Sequence, residues 1–224
     1  RYISVTGVQT CALPIFDKAL NRANEMILEE VDIIDVGGES TRPGSLPVSL
    51  EVELDRTIPL ITELCNLGVP ISIDTTKSEV AASAIAAGAT YINDVSGGLA
   101  DVKMGKLVAA NANTQIVVSH WRGPSKDMQS KANCEDVVKE VKSELENSID
   151  KLMSAGVALE QIIIDPGIGF AKQPEDNWEI LKHIERLQML GFPILVGASR
   201  KRFLGELVGA ANPDDRESAS VALT

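Results

Sequence analysis

Histidine, cysteine and positive charge are all scarce in this 224-residue chain. Its two histidines, His120 and His183, cannot build a multi-histidine metal centre. Its three cysteines, Cys11, Cys65 and Cys134, lie far apart with no paired spacing, which argues against a disulfide framework or a zinc knuckle and fits a reducing cytoplasm. No run approaches the roughly 20 apolar residues of a membrane span. No segment combines a charged start, an apolar stretch and a small-residue cleavage site. Lys and Arg number 21 against 32 Asp and Glu, for a net charge of −11. A nucleic-acid binder shows a basic face, so neither nucleic acid nor membrane is expected as a partner. The basic residues near strand ends (Arg42, Arg122, Lys172, Arg200, Lys201 and Arg202) then stand out and suggest an anionic substrate. For Arg122 and Lys172 taken alone, solvated surface charge explains them equally well. His183 lies in a helical stretch and reads as a surface residue, whereas His120 ends a strand, where packing and a site role are both open.

What the chain has instead is one pattern repeated six times: a short apolar run that stops at a polar or Gly-rich end. The runs start at Ile33, Ile71, Tyr91, Ile116, Ile162 and Ile194, each separated from the next by a helix-length segment. Continuous Val/Ile/Leu runs alternating with helices predict parallel strands buried on both faces. The strand ends carry Asp35, Asp74, Asn93, His120, Asp165 and Lys201, and α/β barrels keep their chemistry at that rim. An apolar content of 44% over this length fits one soluble globular domain. Six strands complete a doubly wound sheet but fall short of the eight in a closed barrel, and composition and period do not choose between them.

Between the strands, periodicity predicts helices over 17–30, 51–65, 78–87, 101–110, 135–155 and 174–190, with a last pair starting at Arg200 and Asp214. Leu54, Ile58, Ile61 and Cys65 form the apolar face of the second, and Pro59 within it should kink the helix or delay its start. Residues 121–134 lack periodicity and read as a loop. The first segment differs from the rest. Val5 to Ile15 matches the translation of a sequencing-library adapter, so 1–16 is expected to be foreign and 17–224 to form a single barrel domain. The chain stops at SASVALT inside a helical pattern, so a shortened C-terminus is expected too.

The motifs carry the chemistry. DVGGESTRPG (Asp35 to Gly44) places glycines around Ser-Thr-Arg past a strand, where backbone N–H groups, the Thr41 hydroxyl and the Arg42 fork suit a phosphate. An ordinary glycine-rich turn has the same residue types. IDTTK, INDVSGG and IDPGIGF put Asp74, Asn93 and Asp165 at strand ends, with Phe170 near the mouth. One such Asp is often a helix cap; three Asp/Asn sites on one rim are harder to explain that way. A carboxylate only accepts, so it matches a heterocycle with adjacent N–H donors, such as a 2-aminopyrimidinone edge, while an amide does both. GASRKRF places Ser199 as a candidate N-cap and Lys201 towards the mouth, a position where the helix dipole disfavours cations unless an anion is bound.

In this order and spacing, DVGGESTRPG, SIDTTK, YINDVSGG, IIDPGIGFAK and LVGASRKRFLG resemble the bacterial dihydropteroate synthase family over roughly residues 17 to 224. The resemblance implies a TIM (β/α)₈ barrel, here incomplete, and a transferase of folate biosynthesis. Such enzymes join p-aminobenzoate to 6-hydroxymethyl-7,8-dihydropterin diphosphate with Mg²⁺ and release pyrophosphate. It implies a pterin pocket of Asp74, Asn93, Asp165, Lys201 and Phe170, with Asp35 in support. It also implies a p-aminobenzoate and diphosphate side of Thr41, Arg42, Pro43 and Ser199, with Lys201, Thr41 and Arg42 carrying catalysis. A cytoplasmic homodimer is implied as well. The family's Asn-x-Thr-x-Asp-Ser-Phe motif, whose Asn contacts Mg²⁺, and its Arg-x-His anion site are not found, so no metal ligand is nominated. The rivals are a pterin-dependent methyltransferase barrel and a catalytically incompetent fragment of the synthase.

Overall fold

The structure, a computed structural model, describes residues 16–40, 45–123, 135–197 and 201–209, the backbone of 5–9, and residues 212, 215 and 219. The strands are β1 (Val5–Gln9), β2 (Ile33–Gly37), β3 (Ile71–Asp74), β4 (Tyr91–Asp94), β5 (Gln115–Ser119) and β6 (Ile162–Asp165). They pair in parallel, in strict chain order from β1 to β6. A doubly wound sheet reverses its strand order at a switch point, and this one never does. Each strand feeds a helical crossover to its immediate neighbour, which is barrel winding. Topology thus settles a choice that composition left open.

At one edge of the sheet Val5–Gln9, inside the segment expected to be foreign, pairs residue for residue with Ile33–Gly37. At the other edge the Ile194 run makes only a single parallel bridge to Ile164. Pro193 has no N–H to donate; it accepts from Ile164 N at 2.9 Å, and Leu195 N reaches Ile164 O at 2.8 Å. The apolar run therefore lines the edge of β6 without becoming a full strand.

The helices are α1 (Phe16–Leu28), α2 (Leu50–Cys65), α3 (Ser78–Ala87), α4 (Met104–Ala109), α5 (Val137–Ser154), α6 (Pro174–Lys182), α7 (Glu185–Gln188) and α8 (Arg202–Val208). The helix expected over 174–190 is two pieces that part at His183. The continuation expected from Asp214 lies outside the described residues. Pro59 does not delay α2, which starts at Leu50 and runs on through it. Pro59 and Asp55 are both exposed, so the carbonyl that loses its partner faces water. The buried face of α2 is also rotated from the expected one: Glu53, Thr57, Leu60, Ile61 and Leu64 point inward.

Strand alternation sorts the side chains. Ile34, Val36, Ile71, Ile73, Ile92, Ile116, Val118, Ile162 and Ile164 join one apolar cluster with the helices. The other parity holds Asp35, Ser72, Asp74, Asn93, Ser119 and Asp165, which face the barrel interior. The register stacks Gly37, Asp74, Asn93, Val117 and Ile163 across consecutive strands. The carboxyl ends of the strands therefore bring the expected polar residues to one rim.

Candidate active site

Asp35 is buried opposite Ser72, two residues before the Gly37 that pairs with Asp74. Its Oδ2 accepts from Asn93 Nδ2 at 3.0 Å. Its Oδ1 is buried with no hydrogen-bond partner. Ser72, opposite Asp35 in the register, acts on the carboxylate without closing a hydrogen bond of ordinary geometry to it. Burial pushes the Asp35 carboxyl up, with Ser72 and Asn93 opposing. Asp74 lies against Gly37, and its carboxyl is raised well above the usual range, first by burial and then by Asp35, Glu53, Asp94 and Glu39. Two buried acids this close, Asp35 and Asp74, cannot both ionise freely.

Asp165 is 7% exposed and accepts from Gly167 N at 2.8 Å. Burial raises its carboxyl, and Lys201 and Lys172 oppose the rise. Lys201 stands over the Phe170 ring, with Nζ 4.3 Å from the centroid, and donates to the Ile168 carbonyl. Burial lowers the Lys201 ammonium to about 8, against the pull of Asp165. The turn beneath Lys201 requires glycine twice. A Cβ on Gly167 (φ +65°) would lie 2.6 Å from the His120 carbonyl, and one on Gly169 (φ +80°) 2.8 Å from Lys201 Cδ.

Five expected residues, Asp74, Asn93, Asp165, Phe170 and Lys201, thus meet at one rim with Asp35 beneath them. Thr41, Arg42, Pro43 and Ser199 lie outside the described residues. Asp94, adjacent to Asn93 in sequence, takes a different part. It caps the next turn through Ser96 N (2.8 Å), Ser96 Oγ (2.6 Å) and Gly98 N (3.1 Å). Burial raises its carboxyl to about 6 despite those bonds.

Two ion-pair networks flank the cluster. On one side Lys77 Nζ binds Glu39 Oε2 at 2.8 Å and Glu53 Oε2 at 2.5 Å, and Thr75 Oγ1 donates to Glu53 Oε1 at 2.5 Å. Glu39 also accepts from Val48 N at 3.0 Å. On the other side His120 Nε2 meets Glu144 Oε2 at 2.9 Å, and Arg122 holds Glu144 with a 2.6 Å ion pair. Lys172 is 5% exposed, so it is not a surface charge. The sequence singles out His120, Arg122 and Lys172 without giving them partners, and does not point to Glu39, Glu53, Thr75, Lys77 or Glu144. The one available signal was polar Glu53 and Thr57 at helical spacing on a stripe that continues through Leu60, Ile61 and Leu64.

Among the described residues no group of three His, Cys, Asp or Glu side chains could hold a metal ion. No helix among them is long and apolar enough to cross a membrane.

Residues 8–224 match the model of the pterin binding enzyme family. The chain belongs to the dihydropteroate synthase family of pterin-binding enzymes. It is 44% identical over 214 residues to the dihydropteroate synthase of Mycobacterium leprae, covering 93% of this chain and 75% of that one. The dihydropteroate synthase of Xanthomonas albilineans, solved with 4-aminobenzoic acid, superposes with a TM-score of 0.90 at 37% identity, covering all of this chain (100%) and 81% of that one. The Burkholderia cenocepacia synthase, complexed with 7,8-dihydropteroate, gives 0.89 at 39% identity over the same shares of 100% and 81%. By family the chain is a transferase, and its barrel is theirs.

Proposed function

We propose that the central cluster is a pterin pocket, and that the chain condenses 6-hydroxymethyl-7,8-dihydropterin diphosphate with p-aminobenzoate to 7,8-dihydropteroate and pyrophosphate. The observation that carries this reading is the acid group itself. Asp35 keeps a buried oxygen without a donor, beside Asp74, Asn93 and Asp165 at the same rim. A buried unpartnered acceptor calls for a donor, and a 2-aminopyrimidinone edge offers adjacent N–H groups to a carboxylate. Asn93 can donate and accept at once. Lys201 over Phe170 supplies a positive charge for a ring carbonyl, with an aromatic face beside it. A ligand lacking those donors would leave the acids unpaired, so discrimination should be strong.

The reaction is a substitution at the pterin methylene. The carbon–oxygen bond to diphosphate breaks, the arylamine nitrogen forms the new carbon–nitrogen bond, and that nitrogen loses its proton. No covalent enzyme intermediate is needed, so the residues act by positioning and electrostatics. Thr41, Arg42, Pro43 and Ser199 are assigned to the p-aminobenzoate and diphosphate side on the family resemblance, with Lys201, Thr41 and Arg42 as catalytic groups. Mg²⁺ is the family's cofactor. The described acids do not form a metal-ligand set, so none is assigned to it and no step is routed through it. The resemblance also supports one pterin-binding domain over 17–224 and a cytoplasmic homodimer.

Incubation with the pterin diphosphate, p-aminobenzoate and Mg²⁺, followed by mass spectrometry, tests the reading. Dihydropteroate is expected. Folded protein that binds neither substrate would overturn the assignment, and pterin binding without product would leave the pocket and remove the catalysis.

A further inference from the structure

Lys172 is a buried cation to which the reaction gives no task, and its surroundings define one. Its Nζ donates to the carbonyls of Gly167 (2.9 Å) and Phe170 (3.0 Å), and meets His120 Nδ1 at 2.9 Å. An ammonium has no lone pair to offer. Nδ1 must therefore accept, which places the imidazole proton on Nε2, facing Glu144 Oε2 at 2.9 Å. Glu144 is held in turn by Arg122 Nε at 3.0 Å and by Arg122 Nη2 at 2.6 Å, and Arg122 Nη2 also binds Glu140 at 2.7 Å. A continuous column thus runs from α5 through His120 to both ends of the turn spanning Gly167 to Phe170. That turn is strained. Ala171, between Phe170 and Lys172, has φ +48°, a conformation that favours glycine. The same turn supplies both contacts of the Lys201 ammonium, the Phe170 ring and the Ile168 carbonyl.

We propose that Lys172, oriented by His120, Glu144 and Arg122, is a positioning residue that fixes the Gly167–Phe170 turn and thereby seats Lys201. Burial and charge agree with a fixed, neutral imidazole in this column. Burial lowers His120 to about 4, with Glu144 opposing. Glu144 is pushed up by burial, but the hydrogen bonds from His120 and Arg122 outweigh that and bring it down to about 2. Without the ammonium, two backbone carbonyls lose a donor and a left-handed alanine loses its clamp, so the turn should relax towards water. Lys201 would then leave its seat. The consequence for ligand affinity rests on the pterin reading above; the consequence for Lys201 does not.

The test uses the full chain carrying Lys172→Met, with Lys142→Met, at a half-exposed pair with Glu146 outside the column, as the control. Two quantities are read: affinity for 6-hydroxymethylpterin by calorimetry, and the Lys201 titration by NMR on [13Cε]lysine-labelled protein, assigned with Lys201→Arg. Lys172→Met is expected to weaken pterin binding about tenfold or more. It should also move the Lys201 midpoint from about 8 towards 10.5. Lys142→Met should change neither. Glu144→Gln keeps an acceptor for His120 and should show the same two changes more weakly, which carries the test if Lys172→Met does not fold. A folded Lys172→Met protein with an unmoved Lys201 titration would overturn the proposal. If the unsubstituted chain binds no pterin, the function fails, and the Lys201 titration still decides the brace.

Discussion

Asp35 and Asp165, at the centre of the rim, are buried acids whose partners do not balance their burial, and both carboxyls are pushed up. Glu53 and Glu144, on the flanks of the same rim, are each clamped by a cation. Glu53 holds Lys77 at 2.5 Å and a threonine hydroxyl; Glu144 holds Arg122 at 2.6 Å and His120. The ionisable group is a carboxylate in both regions, and the difference lies in the partners. Acids with protein cations brace loops, while acids left short of donors await a ligand's. Burial alone does not separate them, since Glu53 at 1% exposed is at least as buried as Asp165 at 7%.

Substitutions at the two kinds of acid should therefore separate binding from stability. Asp165→Ala is expected to weaken pterin binding by about 100-fold or more, because the ligand's donors lose their acceptor. It should lower stability by no more than about 1 kcal/mol, since a buried charge leaves along with one hydrogen bond. Calorimetry beside a urea melt reads both. Glu53→Ala should do the reverse. It leaves Lys77 with Glu39 alone and Thr75 Oγ1 without its acceptor, and should cost about 2 kcal/mol in the melt, with pterin affinity within about twofold. Affinity loss at Glu53 comparable to that at Asp165 would erase the distinction.

Acidity sharpens the comparison further. Lys201 is an ammonium below about 8 and a neutral amine above it. Pterin affinity should thus fall as pH rises through that value, and Lys201→Met should be weaker throughout and flat there. The smallest effect is expected at a pair with neither burial nor a ligand. Lys103 meets Glu79 at 3.4 Å with its side chain 70% exposed. Lys103→Ala should shift stability by less than about 0.5 kcal/mol.

Much of the central region was legible in the sequence, because a strand's end is a local property. A short apolar run followed by Asp or Asn marks the rim without any knowledge of pairing, and so Asp74, Asn93 and Asp165 were found. In the flanking region His120, Arg122 and Lys172 stood out singly, but their pairings did not, because the partners are distant in the chain. His120 and Lys172 are 52 residues apart, and Thr75 and Glu53 22. Nothing local reveals that two such charges will face each other. Composition and period did not reveal the barrel winding for the same reason, since strand order is a long-range fact; the motif resemblance did. The Ile194 run was misread because apolar content signals burial, and Pro193 then limits the ladder. On α2, following apolar residues alone found Ile61 in the core and Leu54, Ile58 and Cys65 packed against it, but passed over Glu53 and Thr57 on the stripe that is most buried.

The most direct measurement is a calorimetric titration of the chain with 6-hydroxymethylpterin, alongside Asp165→Ala. The pocket described above predicts saturable one-site binding by the unsubstituted chain and none by the variant. A folded chain that gives no heat, or one that binds equally well without Asp165, would contradict it.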